Sequence, residues 1–167
     1  YTDGSAENNM TYSYYVTATY PDGEESGASN LVVSTPQSIT VHEEGYDDGV
    51  AESSFNAGSS NYAAVRFTAN DAGEEVVRFK WFQTQAGGAF YLRVWADDNG
   101  MPGDQLFSTI AASGLVEGWN EKDMSSEGLM VSGDFWIGVK EFSSSSPWGV
   151  DTSTDAGQSF YSDDNWV

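Results

Sequence analysis

Thr11-Tyr-Ser-Tyr-Tyr-Val-Thr-Ala-Thr-Tyr20, followed by Pro21-Asp-Gly-Glu-Glu-Ser-Gly-Ala-Ser-Asn30, decides how this chain is read. Tyr12, Tyr14, Val16 and Ala18 alternate onto one face of an extended strand, with Ser13, Thr17, Thr19 and the bulky Tyr15 on the other. One face therefore wants a partner sheet. Pro21-Asp22-Gly23 supplies turn residues, Pro by its fixed φ and Gly by access to φ > 0, and Asn30-Leu-Val-Val-Ser34 returns as a second β-rich segment. The pair predicts a hairpin. A β-sandwich needs about seven strands in roughly 100 residues, and fewer than forty residues lie before the Pro36 boundary. Residues 1–37 are therefore expected to be the closing strands of an incomplete sandwich. Its missing strands would come from elsewhere in a larger secreted protein or from a neighbouring subunit.

These residues resemble the last strands of a fibronectin type III domain. Tyr12 matches the tyrosine that opens the penultimate strand of that family, with Tyr14, Val16 and Ala18 as the inward positions that follow. Glu25-Ser-Gly-Ala-Ser29 matches the acidic-Ser-x-x-Ser stretch of the next turn. The resemblance implies a spacer or interaction module and brings no catalytic residues with it.

Composition bounds the rest. The 167 residues suffice for one domain of ordinary size plus a remnant, so the main core is expected after Pro36. There is no cysteine, hence no disulfide framework, thiolate metal site or cysteine nucleophile. No run approaches 18 apolar residues and no N-terminal signal peptide is visible, which predicts no membrane insertion and places any export signal upstream. Twenty-six acidic against 6 basic residues give a formal net charge of −20, which repels phosphate backbones and anionic lipid and argues against nucleic acid as a partner. Cations are the complementary partners. Acidity without cysteine fits an exported, extracellular or cell-surface bacterial protein.

From residue 38 onward short β segments alternate with turn signals, and no helical period is sustained. Strands are predicted at 39–41, 61–69, 74–83, 89–95, 105–111, 117–124, 128–131, 135–141 and 158–161. Phe79 and Trp81 should point inward, with Arg78 and Lys80 outward. Gly87-Gly88 reads as a hairpin turn, and 70–73, 96–104 and 143–147 read as loops. The expected fold is all-β: a partial fibronectin type III-like hairpin over 1–37, then one jelly-roll-like antiparallel β-sandwich over 38–167.

The second part is similar to β-sandwich accessory modules near the C-termini of large secreted bacterial proteins. The likeness rests on Tyr46-Asp-Asp-Gly49, Ala64-Val-Arg-Phe67, the 95–104 loop, Gly118-Trp119, Gly133-Asp-Phe-Trp-Ile-Gly-Val139 and Gly157-Gln-Ser-Phe-Tyr161. It implies an extracellular, non-enzymatic module and delivers no ligand site.

Two sets of residues carry candidate binding chemistry. Asp97, Asn99 and Asp104 surround a Gly-containing turn, and oxygens at alternate positions of such a turn can converge on a hard cation such as calcium. The competing reading is a loop whose Asp and Asn bond their own backbone. Asp47, Asp48 and Asp151 form a second cation set, provided that two distant loops meet at one end of the sandwich; Asp155 shares the later loop. Among the aromatic residues, Trp119, Trp148 and Trp166 stand near strand edges or loops and are the candidates for stacking on a polysaccharide. Trp81, Trp95 and Trp136 are expected in the core.

Catalytic patterns are missing. His42 is the one histidine, in Val41-His-Glu-Glu-Gly45, which is not the zinc-protease pattern. Neither a Gly-x-Ser-x-Gly elbow nor a phosphate-binding loop occurs. The function expected is non-catalytic: scaffolding, adhesion or subunit assembly, the last by strand complementation between chains. The alternative is a carbohydrate-binding module on a secreted hydrolase.

Overall fold

The computed structural model describes residues 4–37, 40–111, 114–142, 148–153 and 157–163. Ile39, the 143–147 loop, Asp155 and Trp166 lie outside the described residues. The chain divides into two compact units, Tyr1–Glu43 and Glu44–Val167. Every regular element among the described residues is a strand.

In the first unit, β1 (Tyr12–Tyr14) pairs antiparallel with β2 (Val32–Ser34), Tyr12 opposite Ser34 and Tyr14 opposite Val32. Regular pairing stops after Tyr14, although the two arms stay together to the turn. Ser29 and Ser26 donate their N–H groups to the carbonyls of Val16 (2.9 Å) and Ala18 (2.8 Å). Their hydroxyls accept the Val16 N–H (3.0 Å) and the Ala18 N–H (2.9 Å) in return. Side chains thus replace carbonyls in the ladder, because the serines are spaced by three residues and their partners by two. The Tyr12 hydroxyl accepts the N–H of Glu7 at 2.9 Å and pins the approach to β1. The expected inward face is only partly realised: Tyr12 and Tyr14 are half-buried, whereas Val16 and Ala18 are exposed. A single two-stranded sheet has no second layer to cover them.

The second unit is a β-sandwich. A four-stranded sheet runs β3 (Ser53–Phe55), β10 (Trp148–Val150), β5 (Arg78–Gln83), β8 (Gly118–Asp123). A five-stranded sheet runs β11 (Ser159–Ser162), β4 (Tyr62–Glu75), β9 (Met130–Glu141), β6 (Phe90–Asp98), β7 (Met101–Ala111). Taken from β3 to β10, the first strand pairs with the last, the second with the seventh, the third with the sixth and the fourth with the fifth. That nesting is a jelly roll, in which one long hairpin is rolled so that its two ends become neighbours.

The alternation on each strand sets the core. Phe79 and Trp81 point inward from β5 between the exposed Arg78 and Lys80, and meet Phe90, Leu92 and Val94 of β6 and Val131, Phe135 and Val139 of β9. Each such side chain removed from water contributes about 1.5–3 kcal/mol. Trp95 and Trp136 are buried on the opposite, outer face of the five-stranded sheet, with Tyr62, Ala64 and Phe160.

Several expected boundaries shift. Residues 70–73 are not a free loop: they are a bulge inside β4, which advances from Ala69 to Glu74 while its partner moves only from Gly133 to Val131. Residues 96–104 are likewise mostly strand, since β6 and β7 run into a two-residue turn at Asn99 and Gly100, both at positive φ (55° and 84°). Gly87-Gly88 does not turn a hairpin. It lies on the crossover from β5 in one sheet to β6 in the other, where the buried Gln83 amide donates to the Gly87 carbonyl at 3.0 Å and accepts the Trp81 indole N–H at 3.2 Å. β3 and β10 have no counterpart among the predicted strands.

Glu141 ends β9 fully buried, and its carboxylate accepts the N–H groups of Ala57 (3.1 Å) and Gly58 (3.0 Å) and the indole N–H of Trp148 (2.7 Å). Its own N–H and carbonyl bond Asn61 and Ser60. Glu141→Ala strands three donors in the interior and is expected to cost about 3 kcal/mol, lowering the melting midpoint by roughly 10 °C. Thermal unfolding followed by tryptophan fluorescence reads this directly, and an unchanged midpoint contradicts it.

Candidate functional site

Pairing of β3 with β10 places Val150 opposite Ser53. The residues just outside those strands, Glu52 before β3 and Asp151 after β10, therefore emerge together. Asp48 reaches the same place through the turn at 47–50, where the N–H groups of Gly49 and Val50 donate to Asp47 (2.9 Å) and Asp48 (3.0 Å). The carboxylates of Asp48, Glu52 and Asp151 offer oxygens that all lie within 4.8 Å of one another, Asp48 and Glu52 exposed and Asp151 half-buried.

Like charges this close repel by about 1 kcal/mol per pair in water and more at a protein surface. Backbone donors offset part of that. The Asp48 N–H donates to Asp151 (3.0 Å) and the Thr152 N–H to Glu52 (3.0 Å), while Ser153 donates its N–H (2.7 Å) and hydroxyl (2.9 Å) to Asp151. The Ser153 hydroxyl also lies 3.2 Å from Asp48. Such a set offers hard oxygen ligands of the kind calcium takes six to eight of. Asp47 contributes to the turn and is not in the cluster. Glu52 was missed by sequence reasoning, because the only signal that could place it is the start of β3.

The other candidate cation residues are arranged differently. Asp97 is half-buried; one oxygen accepts the Trp136 indole N–H at 2.8 Å and the other the Gly100 N–H at 2.9 Å. The Asn99 amide donates to the neighbouring Asp98 at 2.7 Å, and Asp104 is exposed on β7. Asp97 therefore ties the β6–β7 turn to a buried tryptophan on β9. Elsewhere, Asp123, the exposed last residue of β8, is held below the ordinary carboxyl range by the Ser125 hydroxyl and N–H.

The aromatic candidates also separate. Trp119 is 45% exposed on edge strand β8, with the Phe82 ring edge-on at 5.6 Å and the Lys80 ammonium 5.6 Å over its face. Trp148 is half-buried in β10, packs on Phe90 at 4.3 Å and spends its N–H on Glu141, so it is part of the sandwich interior and not a loop platform. Trp81, Trp95 and Trp136 are buried. His42 is exposed.

Asp97→Ala leaves the buried Trp136 N–H unpaired, a loss of about 1–3 kcal/mol. The melting midpoint is expected to fall equally with calcium and with chelator. A fall confined to the calcium-loaded sample would instead make Asp97 a metal ligand.

The chain was compared with models of protein families, with curated proteins and with solved structures, and it matches none of them.

Proposed function

We propose that the chain is a non-catalytic extracellular module of a larger secreted or cell-surface protein, working in scaffolding, adhesion or subunit assembly. One observation carries the reading: the hairpin of the first unit displays apolar side chains that a stable fold buries. Tyr15, Val16, Leu31, Val32 and Val33 are each between 55% and 73% exposed. Two strands in water are marginal on their own, and an open β face with free edges is a template for further strands. Strands added from a longer chain or from a neighbouring subunit would bury these side chains, which lie on both faces of the hairpin. The Tyr12 hydroxyl bond to the Glu7 backbone is the contact that a fibronectin type III-like tyrosine corner makes, and it supports a module of that kind.

Calcium belongs to this reading as a structural tie across the ends of β3 and β10, held by Asp48, Glu52 and Asp151. Polysaccharide recognition at the exposed Trp119 is the second reading, supported by its 45% exposure beside Lys80.

Hydrogen exchange and light scattering test the principal reading. In the monomeric chain the amides of 12–34 should exchange within seconds to minutes, and in an assembled species or a longer product they should be protected. Full protection in a monomer of this chain would overturn it. For the tie, saturating calcium should raise the melting midpoint by several degrees, as ligand binding at 100 times Kd adds about 2.7 kcal/mol, and Asp151→Asn should abolish the rise. An equal response in that variant removes the site.

A further inference from the structure

Asn99 is the only asparagine of the chain that is followed by glycine. At such a pair the side-chain amide carbon can swing onto the next backbone nitrogen, and glycine puts no side chain in its way. The reaction is intramolecular: the Gly100 nitrogen attacks the Asn99 amide carbon, a new N–C bond closes a five-membered succinimide, and the amide nitrogen leaves as ammonia, carrying the proton that Gly100 gave up. Water, the one co-reactant, then opens the ring at either carbonyl and yields aspartate or isoaspartate.

The fold puts this pair at the two-residue turn between β6 and β7, with Asn99 exposed at φ 55° and Gly100 at φ 84°. The ladder pairs Asp98 with Met101 and Asp97 with Pro102 directly behind it, so the turn is clamped from both arms. Both reacting groups are engaged elsewhere. The Gly100 N–H donates to one oxygen of Asp97 at 2.9 Å, and the other oxygen of Asp97 is held by the buried Trp136 indole at 2.8 Å. The Asn99 amide donates to Asp98 at 2.7 Å, which ties the leaving nitrogen to the preceding residue. Before it can attack, the Gly100 nitrogen must give up its proton. A carboxylate that accepts this N–H favours the protonated form and opposes the negative charge that its loss leaves behind.

We propose that Asn99 is a self-modifying site, open to spontaneous deamidation and latched by Asp97. It is shut while the turn is closed and reactive when the ends of β6 and β7 part. Closing the turn again does not reverse the reaction. Aspartate at this position extends the run of Asp97 and Asp98 to three carboxylates and removes the donor that Asp98 accepts. Isoaspartate carries the main chain through its own Cβ, which adds an atom to a two-residue turn whose closure needs positive φ at both positions. Either product disfavours the closed turn and loosens Asp97, the partner of Trp136. Each opening is thus converted into a permanent change of charge.

The test keeps the whole chain at mildly alkaline pH, native or unfolded in guanidinium. Mass spectrometry follows the peptide that contains Asn99, and chromatography separates aspartate from isoaspartate. Conversion is expected to be at least about tenfold slower in the native chain than in the unfolded one, and Asp97→Ala should speed the native reaction about tenfold, the worth of one hydrogen bond to a carboxylate. Glu141→Ala weakens the fold from the opposite end of β6, where Glu141 pairs with Phe90, and should leave the rate near that of the native chain. The comparison of native with unfolded chain needs no variant, so the proposal stays falsifiable if Asp97→Ala fails to fold. Equal rates in native and unfolded chain, or a folded Asp97→Ala that reacts no faster, would overturn it. A folded Asp97→Ala that reacts more slowly would make Asp97 the base of the reaction, and equal acceleration by Glu141→Ala would assign the protection to the fold at large; each also overturns the latch.

Discussion

A buried carboxylate holds the sandwich closed. Glu141 sits at the end of β9 with three N–H donors on its two oxygens, two from the turn that leads into β4 and one from the indole of β10. Taking a charge out of water costs several kcal/mol, and only a full set of hydrogen bonds offsets it. The consequence is geometric specificity. Trp148 is pulled against Phe90, β10 is fixed between β3 and β5, and the first and last strands of the roll become neighbours. The acidic cluster of Asp48, Glu52 and Asp151 exists because that pairing exists.

The two faces of the five-stranded sheet do different work. The inner face supplies the apolar core, with its alternation phased against β5. The outer face carries a second aromatic layer in which Trp136 is anchored by Asp97 and overlaid by Arg66, itself bonded to Gln158 at 2.8 Å. Cations stacked on rings satisfy their apolar stems while leaving their charge available.

Much of the architecture was legible in the chain. Period-two alternation at Phe79 and Trp81 marks a strand with one apolar face, and the structure buries both between the exposed Arg78 and Lys80. Elements held by backbone alone were not legible. Ser53-Ser-Phe55 has no alternation to betray a strand, and Trp148-Gly-Val150 is too short to show one, yet both are paired in the four-stranded sheet. Asn70-Asp-Ala-Gly73 and Asp98-Asn-Gly100 carry loop residues that the sheet absorbs, the first as a bulge and the second as a two-residue turn. Turn chemistry reports where backbone can bend, and it does not report how far the flanking strands extend.

The sequence by itself determined the class: an acidic, cysteine-free, all-β chain with a hairpin before Pro36, whose core tryptophans are named by their strand neighbours. Local periodicity is enough for that, because burial on one face of a strand is written in every second residue. Only the tertiary structure decided which distant residues meet. It joined Asp48 to Asp151 across 103 positions of chain, added Glu52 to them, drew Trp148 inward, and set Arg93 beside Lys140. Those meetings depend on which strand pairs with which and in what register, and the nested pairing of a jelly roll is set by the closure of the whole core.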